Sequence, residues 1–382
     1  MVHQVETIII GGGQGGLATS YCLTRQNHEH LVLEQAAQAA HAWRNDRWDS
    51  FTFVTPNWTI KLPGAEYDGS EPDGFLERAA IIRYFEDYVT RFNLPVQFNT
   101  CVTAIESQAD GKGYLVTTDR ETYSARHVVM ATGLFQRPKI PAWSGDLPAP
   151  IFQLHSGAYR NPGALPPGAV LVVGSAQSGC QIAEELYQSG RTVYLSVSGA
   201  GRAPRRYRGK DTFEWLYLTG FFDRTVEQLP SPKAKFGPNP QVSGKAGGHA
   251  LNLHQFARDG VILLGRVRRA SNGSIGLAAD LKESLAKVDQ FEVDLLKMID
   301  SYIEKSGLDA PPESLSLLRD GYAAEEVSEL NLKAANITTI VWAAGYRFDF
   351  GLVRLPIFDE DGYPLQQRGV TSAPGLYFAG LP

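Results

Sequence analysis

Two glycine-rich turns, each preceded by a short buried-type run, constrain what this chain can fold into more than any other feature. The first turn begins at Gly11 after residues 7–10, and the second begins at Gly174 after residues 170–173. Each pattern predicts a buried strand, a tight turn and the start of a helix. Because this layout seats a dinucleotide pyrophosphate on a helix N-terminus, the repeat predicts two nucleotide sites in one chain.

The residue types of the first turn suit FAD or NAD. Gly11 permits the tight turn, Gly13 lets the backbone approach a pyrophosphate, and Gly16 allows the helix to pack against the strand. Gln14 stands at the start of the helix, among the residues expected to contact the cofactor. Glu34 follows the next strand, where a carboxylate accepts hydrogen bonds from a ribose and repels a 2'-phosphate. A glycine turn without a ligand is the alternative.

The second turn has the same design with one departure. Ala176 takes the place of the second glycine, and the candidate cofactor-binding residues around it are Gly174, Ser175, Gln177, Ser178 and Gly179. The methyl group of Ala176 narrows the approach to a pyrophosphate, so weaker or displaced binding is one expectation.

A basic segment after the next predicted strand indicates the type of nucleotide. The strand over residues 192–197 ends without an acidic residue and leads to Arg205 and Arg206. Guanidinium groups near that strand end would hold a 2'-phosphate, which favours NADPH over NADH. A solvated basic loop is the alternative.

Small residues end three further apolar strands. Thr132 and Gly133 follow one of them, Gly345 follows another, and Gly380 follows the last predicted strand of the chain. Such residues allow the backbone to cross close to a nucleotide, and we include them among the cofactor-binding candidates. Ordinary tight turns are the alternative.

The size and composition of the chain indicate a soluble α/β protein. Its 382 residues suffice for two or three domains, and 43% hydrophobic and 20% charged residues are ordinary for a globular protein. The net charge of -5 and the lack of a basic tail give no reason to expect nucleic acid as a partner. The N-terminus does not resemble a signal peptide, and no apolar run is as long as a membrane span. We therefore expect a cytoplasmic protein without a membrane span.

Cysteine and metal chemistry are not indicated. Cys22, Cys101 and Cys180 are far apart and form no CxxC pair, which fits a reducing compartment. We therefore expect neither a dithiol redox centre nor a metal site.

The order of the motifs resembles the class B flavin monooxygenases, which include flavin-containing monooxygenases, YUCCA-type enzymes and Baeyer–Villiger enzymes. Residues 47–56 resemble the family's aromatic-Asp-Ser segment that leads to Thr-Pro. Residues 155–160 resemble the His-Ser-x-x-Tyr half of its fingerprint, whereas the Phe-x-Gly half is missing. A structural linker histidine is the alternative for His155. The resemblance covers nearly the whole chain and is less specific from 207 to 332.

The resemblance implies where the cofactor and the reacting groups lie. FAD would lie along the first turn and along three further residues, Glu34, Trp43 and Arg44. The flavin ring would lie near Thr55. Asn57 would be the catalytic residue, a polar group beside the oxygen-carrying C4a carbon of the flavin, and a turn asparagine after Pro56 is the alternative.

The implied activity is that of an FAD- and NADPH-dependent monooxygenase. It would form a flavin C4a-(hydro)peroxide and transfer one oxygen atom from O2 to a small organic substrate, either an amine, a sulfide or a carbonyl compound. Two alternatives stay open. One is an FAD-dependent NAD(P)H reductase that passes electrons to a quinone or a protein partner, and the other is a non-catalytic flavin-binding sensor.

Together the patterns predict an α/β chain with two Rossmann-like dinucleotide-binding domains, the NADPH domain being inserted in the FAD domain. The first part of the FAD domain would be residues 1–160, and the NADPH domain with a pocket-forming insertion would be residues 161–335. Residues 336–382 would complete the FAD domain, and this part looks truncated because no helix follows its last strand. Proline clusters between 137 and 168 mark the first boundary.

Apolar periodicity predicts two long helices, over residues 76–93 and 280–305. The apolar stripe of the second helix is expected to be core packing, with a homo-oligomer contact as the alternative. The stretch 202–269 is irregular and rich in Gly, Pro and Arg, and we predict that its loops shape a pocket.

Overall fold

A computed structural model describes residues 2–237 and 240–382 of the chain. The helices in these residues are α1 (Gln14–Arg25), α2 (His41–Asn45), α3 (Arg78–Arg91), α4 (Gln177–Gln188), α5 (Thr212–Leu218), α6 (Leu253–Arg258) and α7 (Leu281–Ser306). Short 3-10 turns connect them, at Asn57–Thr59, Ala142–Asp146, Ser156–Ala158, Pro162–Ala164, Phe221–Asp223, Val226–Gln228, Pro232–Phe236, Lys245–Gly247 and Asp320–Ala323.

The strands form two large sheets and several small ones. The strands of the large sheets are β1 (Val2–Ile10), β2 (His30–Leu33), β3 (Val96–Gln97), β4 (Val102–Ser107), β5 (Tyr114–Thr118), β6 (Thr122–Met130), β7 (Phe152–His155), β8 (Ala169–Val173), β9 (Val193–Ser196), β10 (Ile262–Leu264), β11 (Ile337–Trp342), β12 (Gln366–Gln367), β13 (Val370–Thr371) and β14 (Leu376–Phe378). The small sheets pair Lys61–Leu62 with Ala65–Glu66, Arg137–Pro138 with Tyr346–Arg347, Arg206–Tyr207 with Lys210–Asp211, Val242–Ser243 with His249–Ala250, and Ser274–Leu277 with both Val267–Ser271 and Glu329–Asn331.

The first large sheet has the strand order β12-β13-β14-β6-β1-β2-β3. The strands from β14 to β3 are parallel, and β4 and β5 form an antiparallel extension beside β6. Ile8 and Ile9 of β1 are fully buried, because β1 lies at the centre of this sheet. Branched side chains suit such a strand, which is covered on both faces.

The second large sheet has the order β7-β11-β8-β9-β10, and all of its strands are parallel. Val170, Leu171 and Val172 in β8 are fully buried, as expected for the central strand of a parallel sheet. The predicted α/β class is therefore confirmed, and each glycine turn follows a central strand whose two neighbours in the sheet are parallel to it.

The two large sheets draw on residue ranges that differ from the predicted domains, whose limits stay a prediction. β7 and β11 both belong to the second sheet, although the sequence analysis placed residues 152–155 before that unit and residues 337–342 after it. The second sheet therefore draws on residues 152–342, and the first sheet resumes at β12. Neighbours in a parallel sheet are joined by long crossovers, so a short apolar run carries no mark of the sheet that it joins.

The apolar stripe of α7 packs inside the chain. Leu281, Leu285 and Val288 join the core cluster that lies against β8 and β9, and Leu295 and Ile299 join a second cluster around Trp215. The expectation of core packing is confirmed. The helix ends at Gly307, whose φ of 66° gives the left-handed conformation that commonly closes a helix.

Candidate functional site

The first glycine turn brings the end of β1 very close to the end of β6. Gly11 has a φ of +107°, and a Cβ atom built on it would lie 2.6 Å from the carbonyl oxygen of Ala131. A Cβ atom on Gly16 would overlap the carbonyl oxygen of Gly11. Gly13 differs from both, because a Cβ atom there would have no atom within 4 Å. The turn therefore needs two glycines for its own packing, and the third leaves open space.

The N-terminus of α1 faces this space without a cap. No side chain caps the helix at Gly13, and the first N–H groups of a helix have no partner within the helix. Gln14 is exposed beside them. Glu34, after β2, accepts hydrogen bonds from the backbone N–H of Gly12 at 2.6 Å and of Ala36 at 2.8 Å. These bonds fix its carboxylate beside the turn.

The second glycine turn repeats the geometry of the first. Gly174 has a φ of +105°, and its Cβ atom would lie 2.6 Å from the carbonyl oxygen of Ala343 at the end of β11. A Cβ atom on Gly179 would overlap the carbonyl oxygen of Gly174. Ala176 has φ -73° and ψ -175°, and Gly13 has φ -85° and ψ -170°. The methyl group of Ala176 thus occupies the place that is open at Gly13, and α4 also begins without a side-chain cap.

The small residues at strand ends lie where the sequence analysis expected. Thr132 and Gly133 directly follow Ala131, which contacts the first turn, and Gly345 follows the pair Ala343 and Ala344 at the second turn. Gly380 lies beside the start of α1, where a Cβ atom on Gly15 would be 3.6 Å from the Cα atom of Gly380. The structure therefore brings these candidates together around the two turns.

The second turn is held by a segment that the sequence did not indicate. The side-chain amide of Gln177 exchanges hydrogen bonds with the backbone of Val242, and Gln241 donates a side-chain N–H to the carbonyl of Ser175. Gln241 also donates its backbone N–H to the carbonyl of Gly201 at 2.8 Å. Ser178 is half-buried in the first turn of α4. These bonds join the start of α4 to the small strand Val242–Ser243, and the periodicity of neither element carries a signal of the contact.

The candidates near the first turn pack among aromatic rings. Trp43 in α2 meets Phe53 edge-on, with 5.1 Å between ring centroids. Arg44 forms an ion pair with Glu86 at 2.6 Å, so its charge is directed to α3. Thr55 is half-buried in the following loop.

The structure gives Asn57 a supporting role. Asn57 is buried, its amide N–H group donates to the carbonyl of Glu71 at 2.9 Å, and its carbonyl oxygen accepts the backbone N–H of Leu76 at 2.8 Å. Both polar ends of the side chain thus hold the loop between residues 71 and 76. These contacts favour the turn asparagine, and the catalytic role of Asn57 stays a prediction.

Arg205, which was predicted to contact a 2'-phosphate, is directed to partners within the protein. Its guanidinium group is 4% exposed, forms a two-point contact with Asp211 at 2.6 and 2.7 Å, and donates to the carbonyl of Val54 at 2.7 Å. Burial lowers the pKa of Arg205, and Asp211 opposes that shift. Arg206 is exposed and donates to the carbonyl of Gly247 at 3.1 Å. Sequence alone does not show that a carboxylate six residues later neutralises the first of two adjacent arginines.

His155 links the end of β7 to the turn that follows its neighbouring strand, β11. Its Nδ1 atom accepts the backbone N–H of Gly157 at 3.1 Å, so the proton lies on Nε2, which donates to the carbonyl of Gly345 at 2.9 Å. Burial lowers the pKa of His155, which keeps the imidazole neutral. These contacts favour the structural linker among the two interpretations.

Acidic residues of α4 connect the second turn to the rest of the chain. Glu185 accepts hydrogen bonds from the hydroxyl groups of Ser50 at 2.7 Å and Tyr159 at 2.8 Å. Glu184 contacts the imidazole of His249 at 2.7 Å, and this hydrogen bond raises the pKa of His249. The sequence analysis missed both carboxylates, although they follow the glycine turn within the same helix.

Comparisons with known proteins agree with this geometry. The model of the family described as "Pyridine nucleotide-disulphide oxidoreductase" matches residues 8–216. A CzcO-like oxidoreductase of Geobacillus kaustophilus strain HTA426 is 32% identical over 100% of this chain and 92% of its own length. The chain belongs to this oxidoreductase family.

Two further likenesses refine the assignment. The indole-3-pyruvate monooxygenase YUCCA6 of Arabidopsis thaliana is 29% identical over 98% of this chain and 85% of its own length. A flavin-containing monooxygenase from Stenotrophomonas maltophilia has the same fold, with a TM-score of 0.65 at 18% identity, over 100% of this chain and 91% of its own. The resemblance to class B flavin monooxygenases is confirmed, and the chain is an oxidoreductase enzyme.

Cysteine thiols, metal sites and membrane-spanning helices are three further features to consider in the described residues. Cys22, Cys101 and Cys180 are free thiols, and Cys180 is buried. Within residues 2–237 and 240–382, no group of three or more His, Cys, Asp or Glu side chains is placed to hold a metal ion. None of the helices in the same residues combines the length and the apolar character needed to cross a bilayer.

Proposed function

We propose that this oxidoreductase is an FAD- and NADPH-dependent monooxygenase with two Rossmann-like nucleotide sites. The observation that carries the proposal is the repetition of one turn geometry, with matching φ values and matching close approaches at Gly11 and Gly174. Tight turns arise for many reasons, but two equivalent turns on the central strands of two parallel sheets are typical of proteins that bind two dinucleotides.

FAD is assigned to the first turn. The open space at Gly13, the uncapped N-terminus of α1 and the absence of any positive charge in the turn itself suit a pyrophosphate held by backbone N–H groups. Glu34 lies at the end of β2, where its carboxylate suits a ribose without a 2'-phosphate. The flavin would extend towards the aromatic residues around Trp43 and the loop at Thr55.

NADPH is assigned to the second turn. The uncapped N-terminus of α4 suits its pyrophosphate, and the methyl group of Ala176 reduces the room available in comparison with Gly13. When bound, the flavin would accept hydride from the nicotinamide and activate O2. The residues of this chain would bind and orient the two cofactors, and the insertion after β9 would exclude water from the space between them.

The substrate is proposed to be a small organic molecule that accepts one oxygen atom. The oxygen chemistry that a flavin would supply suits transfer to an amine, a sulfide or a carbonyl compound. The name of the Arabidopsis relative, an indole-3-pyruvate monooxygenase, supports the carbonyl class.

A rapid-mixing experiment tests the proposal. FAD-loaded protein is reduced anaerobically with NADPH and mixed with oxygenated buffer while the absorbance spectrum is followed. We expect a transient spectrum that belongs to neither reduced nor oxidised flavin, and oxygen incorporation matched to NADPH use once a substrate is present. Direct return to the oxidised spectrum with electron transfer to a quinone would instead establish the reductase alternative. Flavin that NADPH cannot reduce would point to the sensor.

A further inference from the structure

Two arginines of the basic segment after β9, Arg202 and Arg205, are neutralised by carboxylates, whereas Arg206 is exposed and directed to the carbonyl of Gly247. Arg202 is 3% exposed and forms ion pairs with Asp289 at 2.8 Å and with Glu292. Arg205 is paired with Asp211 in the same manner. A buried guanidinium group that is already matched by carboxylates has little attraction left for a phosphate group, and exposing it would leave those carboxylates unpaired. Neither of these two guanidinium groups is available to read the nucleotide, so the other cations along the β9 edge are the candidates.

The loop after β9 is the relevant place. Ser198 donates its backbone N–H to the Oγ atom of Ser175 at 2.9 Å, which ties this loop to the second turn. In dinucleotide folds the adenosine ribose lies at the carboxyl end of the strand after the glycine turn, and that strand is β9 here. Gly199, the next residue, has no side chain with which to contact a 2'-phosphate.

The side chain beside Gly199 is that of Lys287 in α7. A Cβ atom on Gly199 would lie 3.6 Å from the Cδ atom of Lys287 and 3.9 Å from its Cβ atom. The ammonium group of Lys287 pairs with Glu283, four residues earlier, at 2.6 Å, and the two side chains are 62% and 65% exposed. Exposed pairs of this spacing are weak, so the ammonium group is free to turn towards an anion.

Other cations at this edge are held by a buried carboxylate. Arg266, after β10, contacts Asp280 through its backbone N–H at 2.9 Å and its side chain at 2.6 Å. Arg268 lies 3.9 Å from the same carboxylate. Asp280 is 8% exposed, so releasing these arginines would leave a buried charge unpaired.

We propose that Lys287 binds the 2'-phosphate of NADPH and thereby sets the preference for NADPH over NADH. This inference rests on the proposed nucleotide site at the second turn. Glu283 acts as the competing anion, because the ammonium group must leave its carboxylate to reach the phosphate. Removing the Lys287 side chain therefore weakens the binding of NADP+ and leaves the binding of NAD+ unchanged. Removing the charge of Glu283 strengthens the binding of NADP+.

Calorimetric titration of the FAD-loaded protein with NADP+ and NAD+ tests this assignment. We expect Lys287→Ala to weaken NADP+ binding about tenfold, the effect of losing one charge-assisted contact, with NAD+ binding unchanged. Glu283→Gln should strengthen NADP+ binding alone. Lys297→Ala is the matched control, since it removes the same charge from an exposed position of the same helix about 15 Å further along. Titration with 2',5'-ADP and 5'-AMP isolates the phosphate itself.

The outcomes separate this inference from the proposed function. Suppose that both nucleotides bind and that Lys287→Ala leaves the ratio of the two affinities unchanged, or lowers both affinities equally. Lys287 then does not bind the 2'-phosphate, while the proposed nucleotide site at the second turn is still supported. If neither nucleotide binds the wild-type protein, the second turn is not a nucleotide site and both proposals fall.

Discussion

The backbone at Gly174 approaches Ala343 so closely that a Cβ atom on the glycine would lie 2.6 Å from the alanine carbonyl oxygen. A Cβ atom on Gly11 would lie at the same distance from the carbonyl oxygen of Ala131. The close approach locks β8 against β11 just before the chain enters α4. Because both turns are built in this way, their glycines divide into positions required for packing and positions required for a ligand. Substitutions can therefore separate the two roles.

Gly13→Val is expected to fold normally and to lose its flavin. The valine side chain meets no protein atom within 4 Å of its Cβ position, and the φ of -85° suits any residue, but the branched side chain fills the space assigned to the pyrophosphate. Flavin absorbance after purification and circular dichroism measure the two effects. Gly145→Val, also in open space and away from the turns, serves as the control and should purify yellow. A yellow Gly13→Val protein would contradict the assignment of FAD to this loop.

Gly179→Ala is expected to destabilise the fold itself. Its Cβ atom would overlap the carbonyl oxygen of Gly174, so the helix and the turn must separate, at a cost of about 3 kcal/mol or more. Urea unfolding gives the free energy. Ala176→Gly, three residues earlier, should change stability by less than about 1 kcal/mol, since glycine is well tolerated at a helix N-cap. Equal stability of the two variants would show that the close approach is absent.

Arg205→Met is expected to lower the free energy of unfolding by about 3–5 kcal/mol. The substitution leaves Asp211, which is 11% exposed, as a buried carboxylate without its partner. Arg206→Met changes the neighbouring, exposed arginine and should cost less than about 0.5 kcal/mol. Denaturant unfolding of both variants tests this difference. A larger loss of stability for Arg206→Met than for Arg205→Met would show that Arg205 is not the buried member of the pair.

The contact between His249 and Glu184 should make stability depend on pH. The hydrogen bond from Glu184 raises the pKa of His249 above its ordinary value, against the effect of burial and of the nearby Lys245. A raised pKa means that the stabilisation is complete below about pH 6.5 and is lost as the pH rises through the higher value of the folded protein.

Thermal unfolding of wild-type protein and His249→Gln at pH 5.5 and pH 8.5 measures this dependence. The variant should lose more stability relative to wild type at the lower pH. A deficit that is larger at the higher pH would have the wrong sign for a histidine stabilised in its charged form.

Asn57→Ala should lower stability by about 2 kcal/mol, because the carbonyl of Glu71 and the N–H of Leu76 lose their partner. If the side chain only holds this loop, the rate at which reduced flavin reoxidises should stay within about twofold of wild type. Chemical unfolding and rapid mixing give the two quantities. A large change in flavin reoxidation with unchanged stability would restore the catalytic assignment.

The sequence predicted the elements whose signal is local. The run before Gly11, the helix of residues 280–305 and the strand Ile337–Trp342 each contain their own periodicity or apolar character, and the structure contains all three. The edge strands β7 and β10 are short, and nothing local distinguishes them from loop. They became visible only through their neighbours in the second sheet.

The same distinction holds at the candidate site. The glycines follow from backbone geometry that a single turn imposes, so their spacing reveals them. The roles of Asn57 and Arg205 depend on Leu76 and Asp211, partners that only folding brings near. Residue type suggested a ligand for both side chains, and tertiary contacts supplied a protein partner instead.

The hydrogen bond between Gln241 and Gly201 ties together two points of the long connection between β9 and β10 of the second sheet. A segment whose two ends are tied together in this way can change in length without moving the strands that precede and follow it. On the proposed function, such a change would alter what the enzyme acts on and leave the two glycine turns as they are.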